Sequence, residues 1–195
     1  MDKLINHSGD CKKLITYQKA NAIFEITFYF CHKFLKKPDR TIDQMIMSAR
    51  SGKQNIVEGC AASATSKKME IHLINVSKAS LKELLEDYED YLRTRRHSQW
   101  EKGSVEFEKM RELGAKHNDA EFFMKLIETR PPETIANMTI ILLNQLDYLL
   151  YKQLERLEKD FIEKGGFSER MTRFRKNNLK KRSGEDQEER GSWDR

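Results

Sequence analysis

The segment ARSGKQNIVEGC, Ala49 to Cys60, holds the residues whose types come nearest to a known chemistry. A glycine followed by a lysine can bind phosphate when loop amides and the ammonium converge on it. That loop needs a second glycine five residues before Gly52 and a hydroxyl after the lysine to hold magnesium. Met47 and Gln54 occupy those two positions, so the phosphate-loop reading fails. The simpler reading is that Gly52 lets another helix approach closely, at a helix-propensity cost of about 1 kcal/mol.

Metal and nucleophile chemistry find no better footing. A carboxylate-bridged metal centre in a helical bundle needs inward carboxylates and Glu-x-x-His pairs. Glu70 and His72 are two residues apart and so face different ways. His32 and His72 read as packed or solvated side chains, and Cys31 and Cys60 as small core residues. No serine or cysteine lies in a nucleophile motif. No catalytic residue, metal ligand or cofactor is therefore assigned, and the chain reads as a non-enzyme.

The basic clusters are more informative. Arg93, Arg95 and Arg96 crowd one helix end, and Arg50 and Lys53 lie off the apolar face of another helix. From Lys164 to Arg182, eight Lys or Arg residues stand against one acid, Glu169. Within that stretch Phe167, Met171 and Phe174 share one side of a short helix, surrounded by Arg170, Arg173, Arg175 and Lys176. Two readings remain open. These cations contact nucleic-acid phosphates, with little sequence reading and a steep dependence on salt; or the segment is a solvated tail whose aromatics dock on protein.

Four long helices must position these groups. The first runs from about Lys12 to Lys37, where Pro38 ends it. Leu14, Tyr17, Asn21, Phe24, Phe28, Cys31 and Leu35 form one stripe, with Ile23, Ile26, Phe30 and Phe34 beside it. The second starts at TIDQ, with Thr41 as cap and Gln44 reaching back. It buries Ile42, Met45, Ala49, Gly52 and Ile56, and stops at Gly59. The third spans about Ser66 to Arg96 and carries two adjacent apolar stripes. Residues 97–130 read as an insertion of two short helices, one stopped by Gly114 and one capped by Asn118. The fourth long helix begins at PPETIANM, where proline suits the first turn, and stops at Gly165-Gly166. Its stripe is Ile135, Thr139, Leu142, Leu146, Leu149, Gln153 and Leu157. Ile141, Leu143, Tyr148, Leu150 and Tyr151 fall outside it. The pattern predicts an all-α fold, an antiparallel up-down four-helix bundle over 1–164, then a basic segment over 165–182 and an acidic, disordered tail over 183–195. The surplus apolar faces on the first and last helices predict a second burial surface, against other subunits or the short helices.

The composition sets outer limits. The 195 residues suit one domain with appendages, and a net charge of +5 permits a nucleic-acid partner without demanding one. Three widely spaced cysteines read as reduced thiols in a cytoplasmic protein. The N-terminus lacks the apolar run of a secretory signal, and TIILL is too short to span a membrane.

The stretch SARSGKQNIVEGCAASATSKKMEIHLINVSKASLKELLEDY resembles a four-helix bundle family. That family includes proteins encoded in intervening sequences of large-subunit ribosomal RNA genes and the accessory variability protein of diversity-generating retroelements. Its signature has an Asn-Ile-x-Glu-Gly helix end, a polar turn and a Ser-x-x-Glu-Leu segment. Asn55-Ile56-Val57-Glu58-Gly59 and Ser80-Leu81-Lys82-Glu83-Leu84 stand in those places. The likeness covers residues 14–92 and again 133–163. Gly52-Lys53 replaces the commoner Ser-Ile, and 97–130 is longer than the usual connection. FIEKGGFSERMTRFR looks like a C-terminal suffix found in a subset of such bundles.

The resemblance implies a ring-like homo-oligomer, with five subunits as one candidate count. In the retroelement branch it implies binding to a reverse transcriptase and to RNA or DNA through a basic surface. Asn55, Glu58 and Gly59 read as structural, with Asn55 and Glu58 satisfying backbone groups at the turn. The expected function is a non-enzymatic oligomeric accessory protein that binds nucleic acid. Its contact residues would be Arg50, Lys53, Arg93, Arg95, Arg96, Arg170, Arg173, Arg175 and Lys176. The alternative is a protein-interaction scaffold with the suffix as its docking element.

Overall fold

The computed structural model describes residues 10–36, 39–166, 169, 171–176 and 179. Within them the chain forms a 3-10 turn, Cys11–Lys13, and six α-helices: α1 Ile15–Phe34, α2 Arg40–Ala62, α3 Lys67–Thr94, α4 Val105–Lys116, α5 Ala120–Ile127 and α6 Pro132–Lys164. No strand occurs among the described residues. Side chains close the helix starts that backbone geometry leaves open. Asp39 accepts from the Thr41 amide, Ser66 from Met69, Ser104 from Phe107 and Asp119 from Phe122. Each such cap contributes about 1 kcal/mol.

Residue pairings fix how the helices lie together. Ser51 meets Ser80 at 2.9 Å, and the Ser77 hydroxyl donates to the Gly52 carbonyl at 2.8 Å. Rising numbers in α2 thus pair with falling numbers in α3. Thr16 bonds Gln153 at 3.0 Å and Lys19 bonds Gln145 at 3.3 Å, so α1 and α6 pair the same way. Between them lies one core. Phe30 packs its ring on Tyr88 and Tyr91 at 5.2 and 4.8 Å. The Tyr88 hydroxyl, fully buried, donates to Thr27 at 3.1 Å.

The apolar face of α2 is the predicted one: Ile42, Met45, Ala49, Gly52 and Ile56 are all buried. Gly52 is there for close approach. A Cβ at this position would lie 2.6 Å from two carbons of the Leu81 side chain. Gly52→Ala should therefore destabilise the protein by about 1–2 kcal/mol despite alanine's better helix propensity, because the Leu81 side chain must shift from its packed position. Chemical denaturation checks this, and Leu81→Ala should recover part of the loss in the double variant. A Gly52→Ala protein at least as stable as the wild type would refute the close-packing role.

Several local expectations fail for identifiable reasons. Asp39, not Thr41, caps α2, since the helix begins two residues earlier than a Thr41 cap implies. Gly59 does not stop α2. It is buried within the helix against Leu73 and Ile74, and the helix continues to Ala62. Gly114 likewise lies inside α4, seated against Gln145 and Leu142 of α6. Asp119 rather than Asn118 caps α5. On α1 the expected order of stripes is reversed: Ile23, Ile26 and Phe30 are buried, whereas Phe28 is 49% exposed. α6 is buried on all sides from Ile135 to Leu143, because α4 and the residues before it cover the face that α1 and α3 leave open. The surplus on α6 is therefore partly an internal surface. Tyr148 and Tyr151 remain exposed.

The cysteines also depart from expectation. Cys11 and Cys60 form a disulfide that ties the 3-10 turn to the end of α2, and Cys31 alone is a free, buried thiol. The two partners are 49 residues apart in sequence, a separation at which proximity is a matter of the fold and not of spacing. The reading of three reduced thiols is corrected, and the cysteines no longer argue for a reducing compartment. No helix among the described residues is long and apolar enough to cross a membrane. Pro38, Phe167 and Arg170, and the whole of 183–195, lie outside the described residues.

Candidate nucleic-acid interface

The last turn of α3 shows how the arginine cluster is built. Arg96 has φ of 58°, the left-handed conformation usual for glycine after a helix. Its amide donates to the Arg93 carbonyl at 3.2 Å, and the His97 amide to Leu92 at 2.9 Å. These two bonds define a Schellman closure with arginine where glycine is normal, at a backbone cost of about 1–2 kcal/mol. The turn points the chain away from α3 and leaves the Arg96 side chain exposed. His97 then pairs with Glu133 at 3.1 Å, anchoring the turn to α6.

The three arginines are not equivalent. Arg93 is held by Asp90 at 2.7 Å. Arg95 lays its guanidinium on the Tyr91 ring, 4.2 Å from the centroid. Arg96 has no ion-pair partner among the described residues. Arg95 is also near enough to Asp39 to help hold that carboxyl below its usual range, after the bonds to Thr41. This brings the end of α3 beside the start of α2. Lys36, just after α1, and Arg40, first in α2, are exposed at the same end and also without ion-pair partners among the described residues. The sequence reading missed both. Both belong to the basic stretch KFLKKPDR over 33–40, and what the sequence does not display is that Asp39, next to Arg40, lies near Arg95.

The other expected contact residues are elsewhere. Arg50 is exposed about halfway along α2, about 20 Å from Arg93 by helical rise, since its neighbour Ser51 faces Ser80. Lys53 is turned inward: its ammonium lies 3.9 Å from the Phe24 ring centroid and 3.3 Å from the Asn21 oxygen. Burial is the main cause that lowers its pKa. It acts as a packing residue between α1 and α2. Arg173, Arg175 and Lys176 are exposed on helical residues 171–176, beyond the C-terminal end of the 33-residue α6. Among the described residues the expected cations are thus not brought into one patch. The structure forms an end cluster and leaves Arg50 and the tail apart.

The family-motif residues do local work. The Asn55 amide donates back to the Ser51 carbonyl at 2.9 Å inside α2, and exposed Glu58 accepts from Gln54 at 3.5 Å. Neither reaches the turn at Ser63–Ser66, because that turn lies beyond Gly59 by a full helical turn. Carboxylates dominate the next stretch of α3, with Glu83, Glu86, Asp87, Glu89 and Asp90 in eight residues. Burial, then the neighbouring charges of Asp90, Glu83 and Glu86, push Asp87 up to about 6. A raised folded pKa means that the folded state holds the proton more tightly than the unfolded one. Asp87 therefore costs stability above pH 6, and the cost is relieved as pH falls toward 4. Asp87→Asn should stabilise the protein at pH 7 by about 1 kcal/mol, allowing for partial exposure. The gain should vanish at pH 4, as thermal melts at the two pH values will show; an equal gain at both would refute the charge explanation.

A second basic feature was not read from the sequence. Lys19 is 1% exposed on α1. Its ammonium donates to the Gly114 carbonyl at 2.5 Å and to Gln145 at 3.3 Å. The Gln145 amide in turn donates to the Arg111 carbonyl at 2.8 Å. Lys19 thereby satisfies a carbonyl in the last turn of α4, at the negative end of that helix's dipole. No carboxylate pairs with it among the described residues, and burial brings its pKa down to about 8. The signal available in the sequence was its place among Ala20, Ile23 and Ile26 on the core face of α1.

Among the described residues no three His, Cys, Asp or Glu side chains gather in a way that could hold a metal ion. No family model matches the chain, and neither a curated protein nor a solved structure matches it.

Proposed function

We propose that this chain is a non-enzymatic accessory protein that binds nucleic acid through the basic end where α1 stops, α2 starts and α3 closes. In this reading α1, α2, α3 and α6 form an antiparallel up-down four-helix bundle, and α4 and α5 are its helical insertion. The opposed residue numbering in the α2–α3 and α1–α6 pairings supports that arrangement. The observation that carries the functional reading is the convergence of exposed Lys36, Arg40, Arg95 and Arg96, with Arg95 and Arg96 fixed by the turn after α3. Arg95, laid on the Tyr91 ring, presents its charge to phosphate with little ordering cost, and the exposed side chains of Lys36, Arg40 and Arg96 add charge beside it. Arg173, Arg175 and Lys176 add a second, separate basic element, and a cytoplasmic reverse transcriptase is the partner that the family resemblance suggests. The test is titration of single- and double-stranded RNA and DNA at about 50 and 200 mM salt. Binding that weakens steeply with salt supports the reading, and absence of binding at low salt overturns it.

An exposed apolar strip on α6 supports the homo-oligomer that this reading includes. Tyr148 and Tyr151 are 59% and 48% exposed on α6, and Ile162 further along is 82% exposed. An interface between copies of the chain, a ring of five in the proposed family, would cover this strip. Light scattering at micromolar concentration should then give several times the 23.1 kDa chain mass. Tyr151→Glu should reduce it to one, with the circular dichroism unchanged. A wild-type monomer would remove the oligomer proposal.

A further inference from the structure

Between α1, α4 and α6 lies a cavity of about 620 Å³. Its walls are mostly apolar, from Phe107 on α4, Ile141, Tyr148 and Leu149 on α6, and Ile15 on α1. Three cations line it, Lys19, Lys102 and Arg111, and no carboxylate does. Arg111 is already paired with Glu108 at 2.7 Å, and Lys102 is exposed. Lys19 is the buried one. Its ammonium has three N–H donors, of which two meet the Gly114 carbonyl and the Gln145 oxygen. Both of those acceptors are neutral.

A mostly apolar cleft, open to solvent on one side, with a buried ammonium that has no counter-ion is poorly matched to a second cation. A buried charge is stabilised by a counter-ion that also accepts its hydrogen bonds. The apolar walls would in turn gain from an apolar body. We infer that this cavity is a binding site for a small amphipathic monocarboxylate, with its carboxylate on Lys19 and its hydrocarbon portion against Phe107, Ile141, Tyr148 and Leu149. Lys102 at the edge adds attraction for the anion. Because Lys19 and Gln145 also hold the last turn of α4, the ligand would brace the contact of α4 with α1 and α6.

The site differs from the basic end in every respect. It lies against residues near the start of α1, whereas Lys36 follows the end of that helix. Binding here therefore stands or falls independently of nucleic-acid binding.

The experiment is calorimetric titration of the full chain with decanoate and with 1-naphthoate, each set against its neutral alcohol. The carboxylate should bind, and the matched alcohol should bind at least about tenfold more weakly, as for loss of a charge-assisted hydrogen bond. Binding of decanoate indicates an aliphatic ligand, and binding of 1-naphthoate alone an aromatic one. Lys19→Met should abolish the preference for the acid over the alcohol. Ala115→Trp provides a variant that does not disturb the core, because Ala115 lines the cavity yet is exposed on α4. It should obstruct binding while the helical circular dichroism stays unchanged. The inference is overturned if neither carboxylate binds, if acid and alcohol bind alike, or if Ala115→Trp, still folded, binds as the wild type does.

Discussion

Replacing Lys36, Arg40, Arg95 and Arg96 together with glutamine should weaken nucleic-acid binding by about two to three orders of magnitude near 100 mM salt. Each lost phosphate contact removes one released counterion. The slope of log affinity against log salt should therefore become shallower by about 3–4 for duplex and about 3 for single strands. The loss should be alike for all sequences, because phosphate contacts position without reading bases. Glutamine keeps helix propensity and length, so circular dichroism should not change. Arg93→Gln alone should do much less, since Asp90 already holds Arg93. Neutralising Arg173, Arg175 and Lys176 asks separately whether the segment after α6 contributes. If the fourfold variant binds as tightly and with the same salt slope as the wild type, the basic end is not the interface.

Helical periodicity located the long elements because it depends on local sequence. Ile42, Met45, Ala49, Gly52 and Ile56 repeat at helical spacing and are buried together. Helix ends were harder to read. Thr41 and Asp39 are both good caps, and the choice depends on where the chain leaves the preceding turn. Gly59 and Gly114 were read as stops because glycine is commonest there. Both instead lie inside a helix against a neighbouring one; at Gly114 that neighbour is too close for a larger residue, whereas at Gly59 the contact is an ordinary one. The stripe order on α1 was misjudged for the same reason. Two apolar stripes compete along its surface, and the packed neighbours decide which is covered, as where Phe30 meets Tyr88 and Tyr91 of α3. What the sequence could not supply at all was coincidence in space. Cys11 and Cys60 are far apart in sequence and meet, whereas Arg50 and Arg93 looked like one surface and lie well apart. Arg40 gained its relevance only when its neighbour Asp39 proved to lie near Arg95.

Raising the pH from 7 to about 10 should strengthen the wild-type fold relative to Lys19→Met by up to about 3 kcal/mol. Lys19 has its pKa lowered from 10.5 to about 8 by burial. Between those values the unfolded chain still holds a proton that the folded chain has released. A state that binds fewer protons gains as protons become scarce, so stability rises with pH across this window. Below pH 8 the folded ammonium is charged and its desolvation cost is fully present. The other charged groups that line the same cavity are the cations Lys102 and Arg111, and its direct partners Gly114 and Gln145 are neutral. Nothing there reverses the sign. Cys31, raised to about 12 mainly by burial, works in the opposite direction above pH 9, as does Tyr88 at higher pH. Both are present in the variant as well, so the difference between wild type and Lys19→Met isolates the lysine. At pH 7 the two proteins should differ little, because methionine removes the desolvation cost but leaves the Gly114 carbonyl and Gln145 oxygen without their donor. Urea denaturation at pH 7, 8.5 and 10 reads the difference directly. Parallel pH profiles would mean that Lys19 keeps its proton throughout, and that its ammonium is better solvated than its burial implies.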